Sequence, residues 1–267
     1  MPELAADLLA AYDRQVRTAL SSRLPPGWQL SWDGPLMRVS GGHRGFVGYR
    51  DLAGLTGSGL DALIERTCAY FDARGTAFEW KWHAHDEPAD LADRLLAHGF
   101  AGEDLETVLV GPAAELTEAP ALPAAVRIVE VTAEADLRRI GELGGQVWDA
   151  DLSWLAEELI QRRRTDPDEL SVYAAEAGGR YVSAAWLSFN PGTEFAGLWG
   201  GSTLAGWRGR GIYRALVAVR ARQAVERGCR YLQVDASPDS EPILRRLGFV
   251  AITRTRPYVH SPAGGPV

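Results

Sequence analysis

Two periodicities alternate along this 267-residue chain. Apolar residues three and four apart predict helices, while strict alternation and short apolar runs predict strands. The first half reads as a helix over Leu4–Leu20, strands at Trp28–Trp32, Leu36–Val39 and Phe46–Tyr49, a helix over Leu60–Ala73, a strand at Ala77–His83, a helix over Pro88–His98 and a strand at Glu106–Val110. Within Gly111–Ala125 the chain is rich in Ala and Pro and carries neither period, so residues 112–125 read as a linker between two domains, 1–111 and 126–267. Beyond it come a strand, Val126–Val131, helices over Glu134–Leu143 and Ser153–Arg164, and a hairpin, Leu170–Glu176 with Tyr181–Phe189, turned at Gly178-Gly179. A strand at Glu194–Trp199 leads to the glycine-rich Gly206–Gly211, then a long helix, Ile212–Arg227, a strand, Tyr231–Ala236, a helix, Ser240–Leu247, and a last strand starting at Gly248-Phe249. This order predicts a mixed α/β fold.

The halves share a register. In the first, Gly57-Ser58-Gly59 opens a helix ending at Gly75, followed by a strand and a helix ending at His98-Gly99-Phe100. In the second, Gly211 opens a helix ending at Gly228, followed by a strand and a helix ending at Leu247-Gly248-Phe249. A decayed internal duplication accounts for the match; two unrelated helices capped by Gly-Phe are the simpler alternative.

A net charge of −7 and a pI near 5.3 argue against a nucleic-acid partner, which needs a basic face, and suit a cationic substrate. Cys68 and Cys229 have no CxxC spacing and read as free thiols of a reducing compartment. The first predicted helix carries Asp7, Asp13, Arg14 and Arg17, unlike a signal peptide, and no run of about 18 apolar residues exists, so a cytoplasmic, soluble protein without a membrane partner is expected, as monomer or homodimer. Lys81 is the single lysine among 28 basic residues, a bias that reads as genome composition.

The chemistry centres on Arg208-Gly209-Arg210-Gly211-Ile212-Tyr213, between a strand and a long helix. Glycines let backbone N–H groups close around a phosphate, the helix start adds unpaired donors, and arginine forks match phosphate oxygens. A plain glycine turn with two solvated arginines fits the hexapeptide alone equally well. In context the segment resembles the acyl-CoA pyrophosphate loop of the GNAT acetyltransferase superfamily, Gln/Arg-x-x-Gly-x-Gly/Ala, with Arg208 and Gly211 at its first and fourth positions and Tyr213 where glycine or alanine is usual. The strand before, the helix and strand after, and the terminal Leu247-Gly248-Phe249 extend the likeness.

The resemblance implies two tandem GNAT-like modules, the first shortened and degenerate, as in bacterial two-module acetyltransferases. It implies acetyl-CoA as donor, with its pantetheine between the strands Glu194–Trp199 and Tyr231–Ala236. Residues 208–213 and Ser240 would contact the cofactor, and amides from Gly201, Ser202, Thr203 and Leu204 would hold the thioester carbonyl, where negative charge grows during transfer. The implied activity is N-acetylation of a primary amine on a small molecule or peptide by direct attack. Gly54-Leu55-Thr56-Gly57-Ser58-Gly59, the matching loop of the first half, has no arginine and is expected not to bind CoA.

An ammonium acceptor must lose a proton before attack. Glu194 and Asp235 are candidate bases; Glu194 reads equally as an exposed turn carboxylate, and Asp235 as a cap of the next helix. The family's usual tyrosine acid is replaced by Leu244, leaving Tyr258 as a candidate that could also simply pack beside Pro257. Trp148, Trp154, Trp186, Trp199 and Trp207 could wall an acceptor site or pack in the core. His83, His85 and Asp86 invite a metal, but without further ligand clusters no metal is expected. A catalytically inactive acyl-CoA sensor or scaffold is the alternative to an enzyme.

Overall fold

A computed structural model describes residues 2–262. Its helices are α1 (Pro2–Gln15), α2 (Gly57–Asp72), α3 (Leu91–Ala97), α4 (Glu134–Trp148), α5 (Ser153–Thr165), α6 (Ile212–Glu226) and α7 (Glu241–Arg246). The strands are β1 (Gln29–Asp33), β2 (Leu36–Ser40), β3 (Gly45–Gly48), β4 (Phe78–His83), β5 (Ala101–Gly102), β6 (Glu106–Pro112), β7 (Val126–Val131), β8 (Leu170–Ala177), β9 (Arg180–Phe189), β10 (Phe195–Thr203), β11 (Tyr231–Ala236) and β12 (Val250–His260).

Pairing joins them into one sheet in the order β1-β2-β3-β4-β12-β6-β11-β10-β9-β8-β7, with β5 beside β12. The halves therefore exchange their last strands. Strand β6 leaves the first half to pair with β11, β12 leaves the second to pair with β4, and the two lie antiparallel at the centre. The duplication read from the glycines is visible around this exchange. In each half one parallel pair, β3 with β4 and β10 with β11, is held for three residues, Gly45–Val47 against Phe78–Trp80 and Phe195–Gly197 against Tyr231–Gln233.

Local chemistry repeats too. Helices α2 and α6 end alike, with Gly75 and Gly228 at positive φ and the following amides, Thr76 and Cys229, bonded to Phe71 and Ala224 carbonyls. Helices α3 and α7 end the same way at Gly99 and Gly248, with Phe100 and Phe249 amides bonded to Leu95 and Leu244. All four are glycine-terminated helices in which a left-handed residue lets the chain satisfy orphan carbonyls.

The sheet has two dissimilar faces. On one, α6 and α7 cover Leu109, Leu187, Leu232 and Val234, and α2 and α3 cover Phe78, Trp80 and Tyr258. On the other, α1 sits on Val108, Val110 and Phe195 at the centre, and α4 and α5 cover Val172, Ala174 and Ala184. Between α1 and α5 this second face is left open. The segment expected as a linker carries a short turn at Ala113–Leu116 whose Ala113 and Leu116 are buried in the core beneath α6. The expected helix through Leu20 stops at Gln15, because the chain then turns to roof the open face.

Candidate functional site

Register dictates what the open face displays, since residues directly opposite one another share a face. Strand β4 alternates Phe78, Trp80 and Trp82 with Glu79, Lys81 and His83. The aromatic set packs against α2 and α3, and the polar set faces a cavity of about 690 Å³. Glu106 of β6 lies opposite Thr255 of β12, itself opposite His83, so Glu106 joins this set. On the other side, Gln233 and Asp235 of β11 and Gly197 and Trp199 of β10 present the same face. Both halves thus build one cavity, with Tyr12 from α1, Arg17 from the turn after it, and Trp154, Glu158 and Arg162 from α5. His43 of the first half stacks on Trp154 of the second, centroids 4.3 Å apart, bridging its rim.

The cavity floor is ionic. Lys81 Nζ lies 2.5 Å from Asp235 Oδ2, and Gln233 donates to the other oxygen of Asp235 at 2.8 Å. Burial opposes the lysine's charge, but Asp235, Glu79 and Tyr12 outweigh it and raise its pKa. Burial pushes the Glu106 carboxyl up to about 7, helped by Asp235, Glu79 and Glu103 and opposed by Lys81. Burial also drives His83 well below its ordinary range, so it is neutral, with the Tyr12 hydroxyl 3.1 Å from its Nε2. Arg17 is tied to Asp86 at 2.6 Å, and Tyr49 reaches the same carboxylate at 2.5 Å.

On the opposite face, the glycine-rich segment takes the backbone form its sequence requires. Gly209 and Gly211 have φ of 72° and 79°, Gly211 caps α6, and Arg208 Nε donates to the Thr203 carbonyl at 3.1 Å. Arg210 lies over the Trp207 ring. The pairing of β10 with β9 breaks between Trp199 and Ser202, leaving Gly200 and Gly201 as a bulge. Tyr213 packs its ring on Gly201 and also meets the Ser240 hydroxyl, so Gly201, Tyr213 and Ser240 converge at the fork.

Other expected residues fall elsewhere. The Leu204 amide is bonded to the Val182 carbonyl, so it is not free for a thioester; the bulge residues Gly200 and Gly201 are the ones outside that ladder. The Thr203 hydroxyl is held by Ser183, and the Ser202 hydroxyl accepts from Trp148. Glu194 precedes β10, outside the cavity lining, where Gln15 and Arg230 bind its carboxylate and hold its pKa below the usual range. That is the wrong direction for a base. Tyr258 lies opposite Trp80, on the face away from the cavity, buried against Trp82. Leu244 is fully buried and offers no proton. Of the five tryptophans, Trp154, Trp186 and Trp199 line the cavity, joined by Trp28.

His85 lies beyond the end of β4 and bonds Asp13 and Thr253, while the His83 amide binds Asp86. Among the described residues no group of three or more His, Cys, Asp and Glu side chains is arranged to hold a metal ion.

Glu106 and Arg220 are among the residues of the site that escaped the sequence reading. Glu106 looks like any strand-opening polar residue until the exchange of β6 is known. Arg220, on α6, is fully buried without a carboxylate, donating to the carbonyls of Leu216, Trp186 and Trp199. Burial pulls its pKa down to about 10.

Residues 137–249 match the family model described as Acetyltransferase (GNAT) family. No curated protein matches the chain. Among solved structures, a GCN5-related N-acetyltransferase from Kribbella flavida aligns with a TM-score of 0.68 at 18% identity, over 98% of this chain and 96% of that one. A tandem GNAT protein from the clavulanic acid biosynthesis pathway aligns with 0.61 at 15%, over 100% and 96%. A GCN5-related N-acetyltransferase from Sphaerobacter thermophilus gives 0.61 at 14%, over 87% and 78%. At these identities the likeness establishes the fold: a tandem GNAT architecture across the chain.

Proposed function

We propose that the protein is an N-acetyltransferase that moves the acetyl group of acetyl-CoA to a primary amine of a small molecule or peptide, by direct attack in a ternary complex. One observation carries the reading: the fork between β10 and β11 opens on one face toward the loop Arg208–Tyr213 and on the other into the cavity. Donor and acceptor can then meet through the sheet. Arg208, Arg210 and the amides around Gly209 and Gly211 would bind the pyrophosphate. Amides at the Gly200–Gly201 bulge would face the thioester carbonyl, stabilising the oxyanion. The acceptor would lie in the cavity, against Trp28, Trp154, Trp186 and Trp199, whose rings suit an ammonium.

Charge favours a cationic acceptor. Glu79, Glu106 and Asp235 surround the single ammonium of Lys81 on the cavity floor. The free cysteines Cys68 and Cys229 agree with a cytoplasmic location, and no described helix is long and apolar enough to cross a membrane. The first half supplies cavity wall rather than a second donor site, since Gly54–Gly59 has no arginine.

A sensor or scaffold is the second reading. The Tyr213 ring fills the gap between Gly201 and Ser240, where a pantetheine arm would pass. Incubating the protein with acetyl-CoA and a panel of primary amines, and following free thiol, separates the two. Amine-dependent thiol release establishes the transferase; acetyl-CoA binding without release on any amine establishes the sensor.

A further inference from the structure

Four acidic side chains line the cavity: Glu79, Glu106, Glu158 and Asp235. Lys81 acts on Glu106 through space, but the direct pairings lie elsewhere. Asp235 is paired with Lys81, Glu79 faces Arg44 at 3.7 Å, and Glu158 lies one helical turn from Arg162, which draws its charge. Glu106 makes no side-chain hydrogen bond or ion pair among the described residues. It also stands where two spaces meet, because it lines both the main cavity and a shallower outer recess of about 390 Å³ formed with Glu103, Asp104 and Pro257. Glu106 and Pro257 line both spaces, so the acidic recess adjoins the cavity at Glu106.

Register places Glu106 near the reacting centre. Strands β10 and β11 part after Gly197 and Gln233, and Asp235 is two residues beyond the parting. Val108 lies opposite Asp235, and Glu106 shares its face two residues along β6. We propose that Glu106, brought to the second half's fork on the exchanged strand β6, is the catalytic base that takes the proton from the acceptor ammonium. This rests on the acetyltransferase reading.

The step balances as follows. The acceptor R–NH3⁺ gives one proton to the Glu106 carboxylate, and its freed lone pair attacks the acetyl carbon. The C–N bond forms, the C–S bond breaks, and the electron pair leaves on the CoA sulfur. The second nitrogen proton goes to that thiolate, giving CoA thiol and the acetamide, and the Glu106 carboxyl returns its proton to water. The charged groups around Glu106 are Lys81 and Glu79 on β4, Asp235 on β11 and Glu103 on the preceding loop, with uncharged Thr255 on β12. Buried among them, Glu106 titrates close to neutral pH, where a base works best.

The test compares wild type with Glu106→Gln, Glu158→Gln and Glu79→Gln, using whichever amine of the panel gives the fastest thiol release. Wild-type kcat/KM is expected to rise with pH through about 7 and then level. Glu106→Gln is expected to lose that limb and to fall by about 10²–10⁴-fold at pH 7.5. Its rate should recover as pH approaches the acceptor's own pKa of roughly 10, and its acetyl-CoA affinity should match wild type, which also reports a folded protein. The Glu158 variant should keep the limb in place, and the Glu79 variant should keep it but shift it to lower pH, because the Glu79 charge helps to raise Glu106. A Glu106→Gln enzyme with the wild-type rate and limb overturns the proposal alone, as does a ¹³C-carboxyl resonance of Glu106 titrating in the ordinary range near ~4.3. Wild type releasing no thiol with any amine overturns the acetyltransferase reading and this proposal together.

Discussion

Lys81 Nζ and Asp235 Oδ2 lie 2.5 Å apart, joining a strand of the first half to a strand of the second across the two exchanged strands. Their side chains are only 14% and 7% exposed, so either charge left alone would be poorly solvated. Lys81→Met and Asp235→Asn should each destabilise the protein by about 3–5 kcal/mol, while Lys81→Met with Asp235→Leu should cost less than the sum. Urea denaturation of the three variants checks this; additive losses would show that the pair is not coupled.

Arg220 holds the bulge from behind. Its guanidinium bonds the Trp199 carbonyl immediately before Gly200, together with the Trp186 carbonyl across β9. Arg220→Met removes the donor from these part-buried carbonyls, at a cost of about 1–3 kcal/mol in all. Destabilisation should come with weakened acetyl-CoA binding, and Arg220→Lys should recover part of both. Calorimetric affinity beside a thermal midpoint checks the coupling; lowered stability at unchanged affinity would confine Arg220 to a packing role.

Gly200 is required twice, by its φ of 64° and by the Trp186 ring, which occupies the space of an added Cβ. Gly200→Ala should therefore displace Trp186, a cavity-lining residue, and abolish turnover at a stability cost of about 2–3 kcal/mol. Gly192→Ala, at φ 75° with nothing near its Cβ, should cost less and spare activity. Equal activity losses in the two variants would contradict a role for the bulge.

Glu106 carries a stability signature opposite in sign to its role in catalysis. Its carboxyl is raised to about 7 in the fold, from roughly 4.3 in an unfolded chain. A raised folded pKa gives stability that is complete below ~4.3 and lost as pH rises through about 7. Glu106→Gln should thus melt higher than wild type at pH 8, by an amount on the order of 2 kcal/mol, and show little difference at pH 4. Thermal scans at the two pH values decide it; a variant less stable at pH 8 would mean that Glu106 makes a favourable native contact.

The sequence was informative where local chemistry is self-contained. Val126–Val131 and Tyr231–Ala236 appear with their expected bounds, because an apolar run between turn residues has few alternatives. The glycines ending α2, α3, α6 and α7 announced the repeat, since only a left-handed residue closes such helices so compactly. The strand exchange was not legible. Nothing in Glu106–Pro112 or Val250–His260 distinguishes a strand pairing within its own half from one that crosses over, as pairing partners are a tertiary property. Glu106 escaped the sequence reading for that reason, while Glu194, Asp235 and Tyr258 were candidates by proximity in sequence and motif. Tyr258 alternates away from the cavity, and Glu194 ends in an ion pair with Arg230. Lys81 did carry a signal, a single lysine in an arginine-rich chain, that becomes meaningful only beside Asp235.

The most direct test of the account is calorimetric titration of the intact protein with acetyl-CoA, wild type beside Arg208→Ala. One equivalent should bind per chain, because only the second half carries the arginine-bearing loop, and Arg208→Ala should weaken binding by about 10–100-fold through loss of a charge-assisted phosphate contact. No binding, or an affinity indifferent to Arg208, would contradict the central claim.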